Sequence, residues 1–148
     1  MLWDTGGLER YDSMTANYYR NAHAVILIYD VTDEDSLYRL NEWVAEARRN
    51  SRWADRLVIA LWGNKCDLGD SKVKANTVMA FMDKHGIDPQ LEHKVSSRQT
   101  GTIEQAMKQL IEHVDERFLG SGNGANRDIS ILTDDNPTGA KAWRCCNQ

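Results

Sequence analysis

At 148 residues, with 41% apolar and 27% charged side chains, the chain has material for one domain with a genuine hydrophobic core. A net charge of −4 gives no electrostatic footprint for nucleic acid. The longest strongly apolar run, Ala24 to Tyr29, is too short to span a bilayer, and Met1 to Arg10 does not read as a secretory leader. Three cysteines do not make a disulfide framework, so a reducing, cytosolic setting is expected.

Taken in chain order, Trp3-Asp4-Thr5-Gly6-Gly7 reads as the end of a strand entering a glycine turn. It is either a plain Gly-Gly hairpin or a phosphate contact, with the Gly7 N–H facing a terminal phosphate and Asp4 holding Mg²⁺ through a water. Ala24 to Tyr29 and Leu57 to Trp62 are continuous apolar runs rich in β-branched residues, which suits parallel strands covered on both faces. Between them, the polar Thr32 to Ser36 opens a helix that sets Leu37, Leu40, Val44 and Ala47 on one side. After the second strand, Val78, Phe81 and Met82 predict a helix stopping at Gly86, and His93 to Ser96 a weaker strand. The last helix is expected to open at Thr102, where Thr102-Ile-Glu-Gln105 reads as a capping box. It aligns Ile103, Ala106, Met107, Leu110, Ile111, Val114 and Phe118, and ends before Gly120. From Ser121 the pattern dissolves into Gly, Ser, Asn, Asp and Pro, which predicts a flexible tail. Strands alternating with helices indicate an α/β sheet with parallel crossovers.

Asn64-Lys65-Cys66-Asp67 directly follows a buried strand, where open α/β sheets place ligands. A carboxylate at Asp67 can accept two hydrogen bonds from the N1 and N2 donors of guanine. Adenine offers no such pair and would leave the acceptor unmet. The Lys65 stem can lie over the purine, and Asn64 can tie the loop together. Ser96-Ser97-Arg98 follows the last strand, where backbone N–H groups can reach the guanine O6 and Arg98 can cover the ring; without the Asn64–Asp67 loop it is only a polar strand end. Cys145-Cys146-Asn147-Gln148 closes the chain, and cysteines so placed read as a lipidation signal, with unmodified thiols as the alternative. Residues 121–148 carry Arg127, Lys141 and Arg144 against Asp128, Asp134 and Asp135, so the tail offers no polybasic anchor of its own.

In this order the motifs resemble the Rab branch of the Ras-like small GTPases. Trp3 to Tyr11 is similar to the block W-D-T-A-G-Q-E-R-Y/F, departing at Gly6 and Leu8. Tyr18-Tyr-Arg-Asn-Ala22 is similar to Y-Y-R-G-A, and Ile28 to Thr32 to V-Y-D-I/V-T. Gly63 to Leu68 is similar to G-N-K-x-D-L, Val95 to Arg98 to T-S-A-K, and the cysteine pair to a doubly geranylgeranylated terminus. The resemblance implies a P-loop-NTPase-like, Ras-like α/β three-layer sandwich with a mostly parallel sheet. It implies an incomplete G domain over 1–120 and a hypervariable tail over 121–148. GTP or GDP with Mg²⁺ are the implied ligands, in a switch of vesicle traffic lipid-anchored at the cytoplasmic face of endomembranes, with a cytosolic pool. Glu9, Arg10, Tyr11, Tyr18 and Tyr19 would form a second switch touched by effectors, exchange factors and GTPase-activating proteins. Prenyl escort and dissociation-inhibitor proteins would handle the tail.

Two departures bear on function. No glycine is followed by lysine, so the P-loop G-x-x-x-x-G-K-[ST], with its phosphate lysine and Mg²⁺ hydroxyl, has no counterpart; neither do the family's first strands and first switch. The chain as it stands is expected to bind nucleotide weakly, Met1 to be an internal methionine, and the Ala24–Tyr29 strand to present an open apolar edge. Leu8 takes the place of the glutamine that orients the attacking water, so hydrolysis is expected to be slow. A non-catalytic membrane-tethered interaction module and an unstable truncation product are the competing readings.

Overall fold

The computed structural model describes Leu2 and residues 18–120. Asp4, Gly7, Leu8, Glu9, Arg10, Tyr11, Cys145, Cys146 and the expected tail lie outside the described residues. The elements run β1 (Ala24–Asp30), α1 (Glu34–Asn50), β2 (Val58–Asn64), α2 (Ala75–His85), β3 (Glu92–Lys94) and α3 (Thr100–Leu119), with 3-10 turns at Cys66–Leu68 and Pro89–Leu91. The strands form one sheet in the order β1-β2-β3, parallel throughout, with Ala24 opposite Val58 and Leu61 opposite Glu92.

Side chains of a strand alternate between faces, and here the alternation sorts the core into two layers. Leu57, Ile59 and Leu61 join Leu27 and Tyr29 under Leu37, Leu40, Val44 and Ala47 of α1 and Val78, Phe81 and Met82 of α2. Val58, Ala60 and Trp62 face the other way, onto Ala106 and Leu110 of α3. The result is the expected α/β three-layer sandwich. The apolar stripe of α1 is wholly interior, and Leu37 is 0% exposed, so truncating it to alanine would cost about 2–5 kcal/mol.

Helix ends follow local chemistry. Asp33 caps α1 by accepting from the Asp35 N–H at 3.1 Å, acidic residues fill the first turn, and Arg48 and Arg49 sit at the negative end of the dipole. Gly86 closes α2 in a left-handed conformation (φ 57°). The capping box at Thr102 is not what opens α3. The helix starts at Thr100 after Gln99, and the Thr102 hydroxyl turns back to donate to the Gln99 carbonyl at 2.8 Å while accepting from Ser96 N–H at 3.1 Å. Thr102 therefore braces the preceding loop from the first turn. The last strand is also earlier than His93 to Ser96: it covers Glu92–Lys94, after which Ser96 bridges to Gln99 in a tight turn.

Both faces of β2 are covered, and Val58 through Gly63 are all buried. On β1 the expectation of two covered faces fails, because Ile28 is 53% exposed and Ala24, Val25 and Ile26 only half-buried. Among the described residues β1, like β3 at the other side, pairs on one side only, which leaves it an open edge. Gly63 has no room for a side chain: a Cβ there would meet the Tyr29 hydroxyl at 2.8 Å and Val31 Cγ1 at 2.9 Å.

Candidate functional site

All three parallel strands end at the same edge, and the loops leaving β1, β2 and β3 meet there. The β2 loop turns sharply. Lys65 adopts a left-handed conformation (φ 67°), the 3-10 turn Cys66–Leu68 follows, and Gly69 (φ 70°) closes it. Backbone bonds lace this loop to the segment after β3: Val95 N–H donates to the Gly63 carbonyl at 2.9 Å and Cys66 N–H to the Val95 carbonyl at 3.2 Å. Val31 N–H, from the β1 loop, donates to the Asn64 carbonyl at 3.1 Å.

Side chains complete the junction. The Asn64 side-chain oxygen accepts from Ser97 N–H at 3.1 Å, so this residue ties the loop as expected. The Ser96 hydroxyl, fully buried, donates to Asp67 Oδ1 at 2.6 Å and accepts from Arg98 N–H at 3.2 Å. Arg98 Nη1 lies 3.9 Å from Asp67 Oδ2, with 81% of the arginine side chain in solvent against 17% of the aspartate's. Asn64, Lys65, Asp67, Ser96, Ser97 and Arg98 are thus brought to one place, as the sequence reading requires.

The electrostatics favour an ionised acceptor. The Ser96 hydrogen bond holds the Asp67 carboxyl below the usual carboxylate range, and the loop backbone and Arg98 act in the same direction. One carboxylate oxygen is thereby fixed in direction, and the other faces outward beside a weakly held guanidinium. A rigid, charged acceptor of this kind suits a ligand edge presenting adjacent N–H donors.

Lys65 is held by a residue that the site expectations did not include. Its Nζ lies 2.6 Å from Asp30 Oδ2, and Asp30 Oδ1 accepts from Thr32 N–H at 2.8 Å and the Thr32 hydroxyl at 2.7 Å. Burial alone would raise the Asp30 pKa, but the hydrogen bonds from Lys65 and Thr32 outweigh it and the net shift is downward. The hydrogen bond to Asp30 raises Lys65 in turn, so the two remain an ion pair at neutral pH. The signal was present in the sequence as Asp30 and Thr32 at the carboxyl end of a buried strand, where such sheets bind ligands.

Of the two tyrosines expected on a partner surface, Tyr18 is half-buried. Tyr19 does not belong to that surface: it is 6% exposed and packs into the core beneath α1, where burial, helped by Glu46, pushes its pKa up to about 12. Among the described residues there is no group of three metal-ligating side chains, and no helix is long and apolar enough to cross a membrane. The carboxylate expected at Mg²⁺, Asp4, lies outside the described residues.

Comparison with known proteins bears on the whole arrangement. The Ras family model matches residues 1–116. Ras-related protein RABD2a of Arabidopsis thaliana is 34% identical over 148 residues, covering 99% of this chain and 70% of that protein. GTP-binding protein YPTM2 of Zea mays gives the same identity and coverage, and Ras-related protein RABD2c of Arabidopsis thaliana is 33% identical over 147 residues.

Proposed function

Because the chain belongs to the Ras family, as a Rab-type small GTPase, we propose that the Asn64–Asp67 junction is its guanine-recognition site in a switch of vesicle traffic. The observation that carries this reading is the Asp67 carboxylate: ionised, aimed by the buried Ser96 hydroxyl, and set at the loop edge of a parallel sheet. Asp67 accepts the N1 and N2 donors of the base, the Lys65 stem covers its face, and Asn64 and Ser96 keep the two loops in register. Ser97 and Arg98 line the side toward the guanine O6. GTP supplies the phosphoryl group whose loss resets the switch, and Asp4 and Gly7 contact its Mg²⁺ and terminal phosphate. Leu8 offers no hydrogen bond to the attacking water, so turnover is slow and the GTP-bound state is long-lived. Residues 1–120 form an incomplete G domain without the P-loop motif, and 121–148 a tail that carries lipid on Cys145 and Cys146. The lipid holds the protein at the cytoplasmic face of endomembranes, within reach of effectors and regulators around Glu9 to Tyr18.

The test uses the chain extended at its amino end by a P-loop segment. Asp67→Asn exchanges an acceptor for a donor toward the base 2-position, so affinity for GDP should fall and that for xanthosine diphosphate rise, each by about two orders of magnitude. In the same protein, Leu8→Gln should speed single-turnover hydrolysis. Equal affinity of the parent for ADP and GDP would sink the assignment.

A further inference from the structure

The end of the sheet opposite the Asn64–Asp67 junction is built from arginine. Arg20, Arg48, Arg49, Arg52, Arg56 and Arg117 are all exposed there. They come from the turn before β1, the last turn of α1, the loop into β2 and the last turn of α3. Elsewhere Arg39, Lys65, Lys94 and Arg98 each have a carboxylate partner, while Lys72, Lys74, Lys84 and Lys108, which have none among the described residues, are spread over the segment before α2, α2 and α3. Among the described residues none of the six arginines has one. Three of them hydrogen-bond to neutral oxygens instead, Arg48 to the carbonyl of His85, Arg56 to that of Arg117 and Arg52 to the Asn21 side chain at 3.5 Å.

The charges stand on an aromatic base. Arg52 lies 4.8 Å over the Trp53 ring and Arg56 4.7 Å over Phe118, while Trp53 and Phe118 meet edge to face at 5.8 Å and His23 packs on Phe118 at 4.6 Å. Acidic groups are present too. Asp55 lies in the same loop, Asp88 lines the cleft shared by Arg48 and Arg117, Glu46 is beside Tyr19, and Asp115 and Glu116 are exposed on α3. Set against Glu46 and Asp55, the four arginines Arg20, Arg49, Arg52 and Arg56 still leave a positive surplus on the α1 side of this end.

The covalent chain supplies the second observation. It leaves α3 at Leu119 and Gly120, immediately after the Phe118 on which Arg56 rests, and continues through a net-neutral segment to the cysteine pair. That segment has no attraction for anionic headgroups, and the chain as a whole carries −4. The arginines without a carboxylate partner are where such attraction is concentrated, and a half-buried tryptophan among them suits the interfacial zone of a bilayer.

We propose that this arginine-rich end is a membrane-contact surface that docks on anionic phospholipid and turns the Asn64–Asp67 end away from the bilayer. The contact is electrostatic and does not depend on lipid attached to the tail, so it can be tested apart from the lipidation reading. The experiment takes the full 148-residue chain, unlipidated, in co-sedimentation with phosphatidylcholine vesicles with and without phosphatidylserine. Binding should require phosphatidylserine and weaken with salt. Combined Arg20→Gln, Arg49→Gln and Arg52→Gln should weaken it on the order of a hundredfold, from the usual contribution of each basic side chain near a charged surface. The matching Arg→Lys triple should keep it. So should Lys72→Gln, Lys74→Gln and Lys108→Gln, which remove the same charge from other exposed positions. Binding to neutral vesicles, equal losses in the arginine and lysine triples, no binding to anionic vesicles, or displacement by soluble glycerophosphoserine would each overturn the proposal.

Discussion

Gly63 joins the buried centre of the sheet to the site loop, and adding one methyl group there tests whether that junction is as tight as it looks. In Gly63→Ala the new Cβ would lie 2.8 Å from the Tyr29 hydroxyl, 2.9 Å from Tyr29 Cζ and 2.9 Å from Val31 Cγ1. Neither neighbour has anywhere to go. Tyr29 is 1% exposed and Val31 2%, and Lys94 fixes the tyrosine twice, by a hydrogen bond to its hydroxyl and by lying 4.8 Å over its ring. Overpacking of this kind costs about 1–3 kcal/mol. A domain of this size should lose roughly 4–20 °C in Tm. Urea unfolding followed by circular dichroism reads the cost directly, through the midpoint at unchanged slope. Val31→Ala opens space beside the same Cβ, so the double variant should be less destabilised than the two single losses added, by about 1 kcal/mol. A Gly63→Ala protein within about 0.5 kcal/mol of the parent, or strict additivity in the double variant, would refute the packing argument. The next residue is Asn64, so the same displacement should loosen the Asn64–Ser97 tie and reduce base affinity along with stability.

Lys65 holds a left-handed backbone that costs any side-chain-bearing residue about 1–2 kcal/mol. Lys65→Gly and Lys65→Ala both lose the Asp30 ion pair, so the glycine variant should be the more stable of the two by about 1 kcal/mol, and equal urea midpoints would deny the strain. His85 responds to pH. Burial first, then Lys84 and Arg48, lowers its pKa, and its Nε2 lies 2.8 Å from the Asn41 side-chain oxygen. The unfolded chain therefore takes up this proton at higher pH than the folded one, and stability should fall as pH drops from about 6.5 to the lowered folded value. The slope should flatten in His85→Gln when midpoints are compared across that window; parallel curves for the two proteins would count against it.

How far the sequence foretells this depends on the range of the interaction. The α1 stripe of Leu37, Leu40, Val44 and Ala47 is a one-helix pattern, and the structure buries all four. The six residues of the site were legible because two short motifs, each following a strand, need only a parallel sheet to bring them together. The misses are tertiary. Thr102 has the spacing of a cap, but its hydroxyl is engaged by the Ser96 backbone, a partner no local window reveals. The resemblance put Tyr19 on a partner surface through its place in the Tyr18–Ala22 motif, and a motif does not show that the core beneath α1 takes the side chain in. Ile28 shows the opposite error: the edge position of its strand was expected, but the apolar run alone does not reveal that one face stays partly open.

The Asp30–Lys65 pair carries the same lesson into mechanism. Asp30 leaves β1 one residue before Val31, whose N–H holds the Asn64 carbonyl, while the Asp30 carboxylate holds the Lys65 ammonium. A single strand end thus grips the Asn64–Asp67 loop by backbone and by side chain, and Ser96 grips it from the other side through Asp67. Asp67 is therefore not an isolated acceptor on a mobile loop. Its direction is set by β1 and by the segment after β3 acting together. For the proposed guanine site, such a junction would supply the fixed geometry that discrimination between purines needs, because a carboxylate free to rotate would lose much of its penalty against the wrong base.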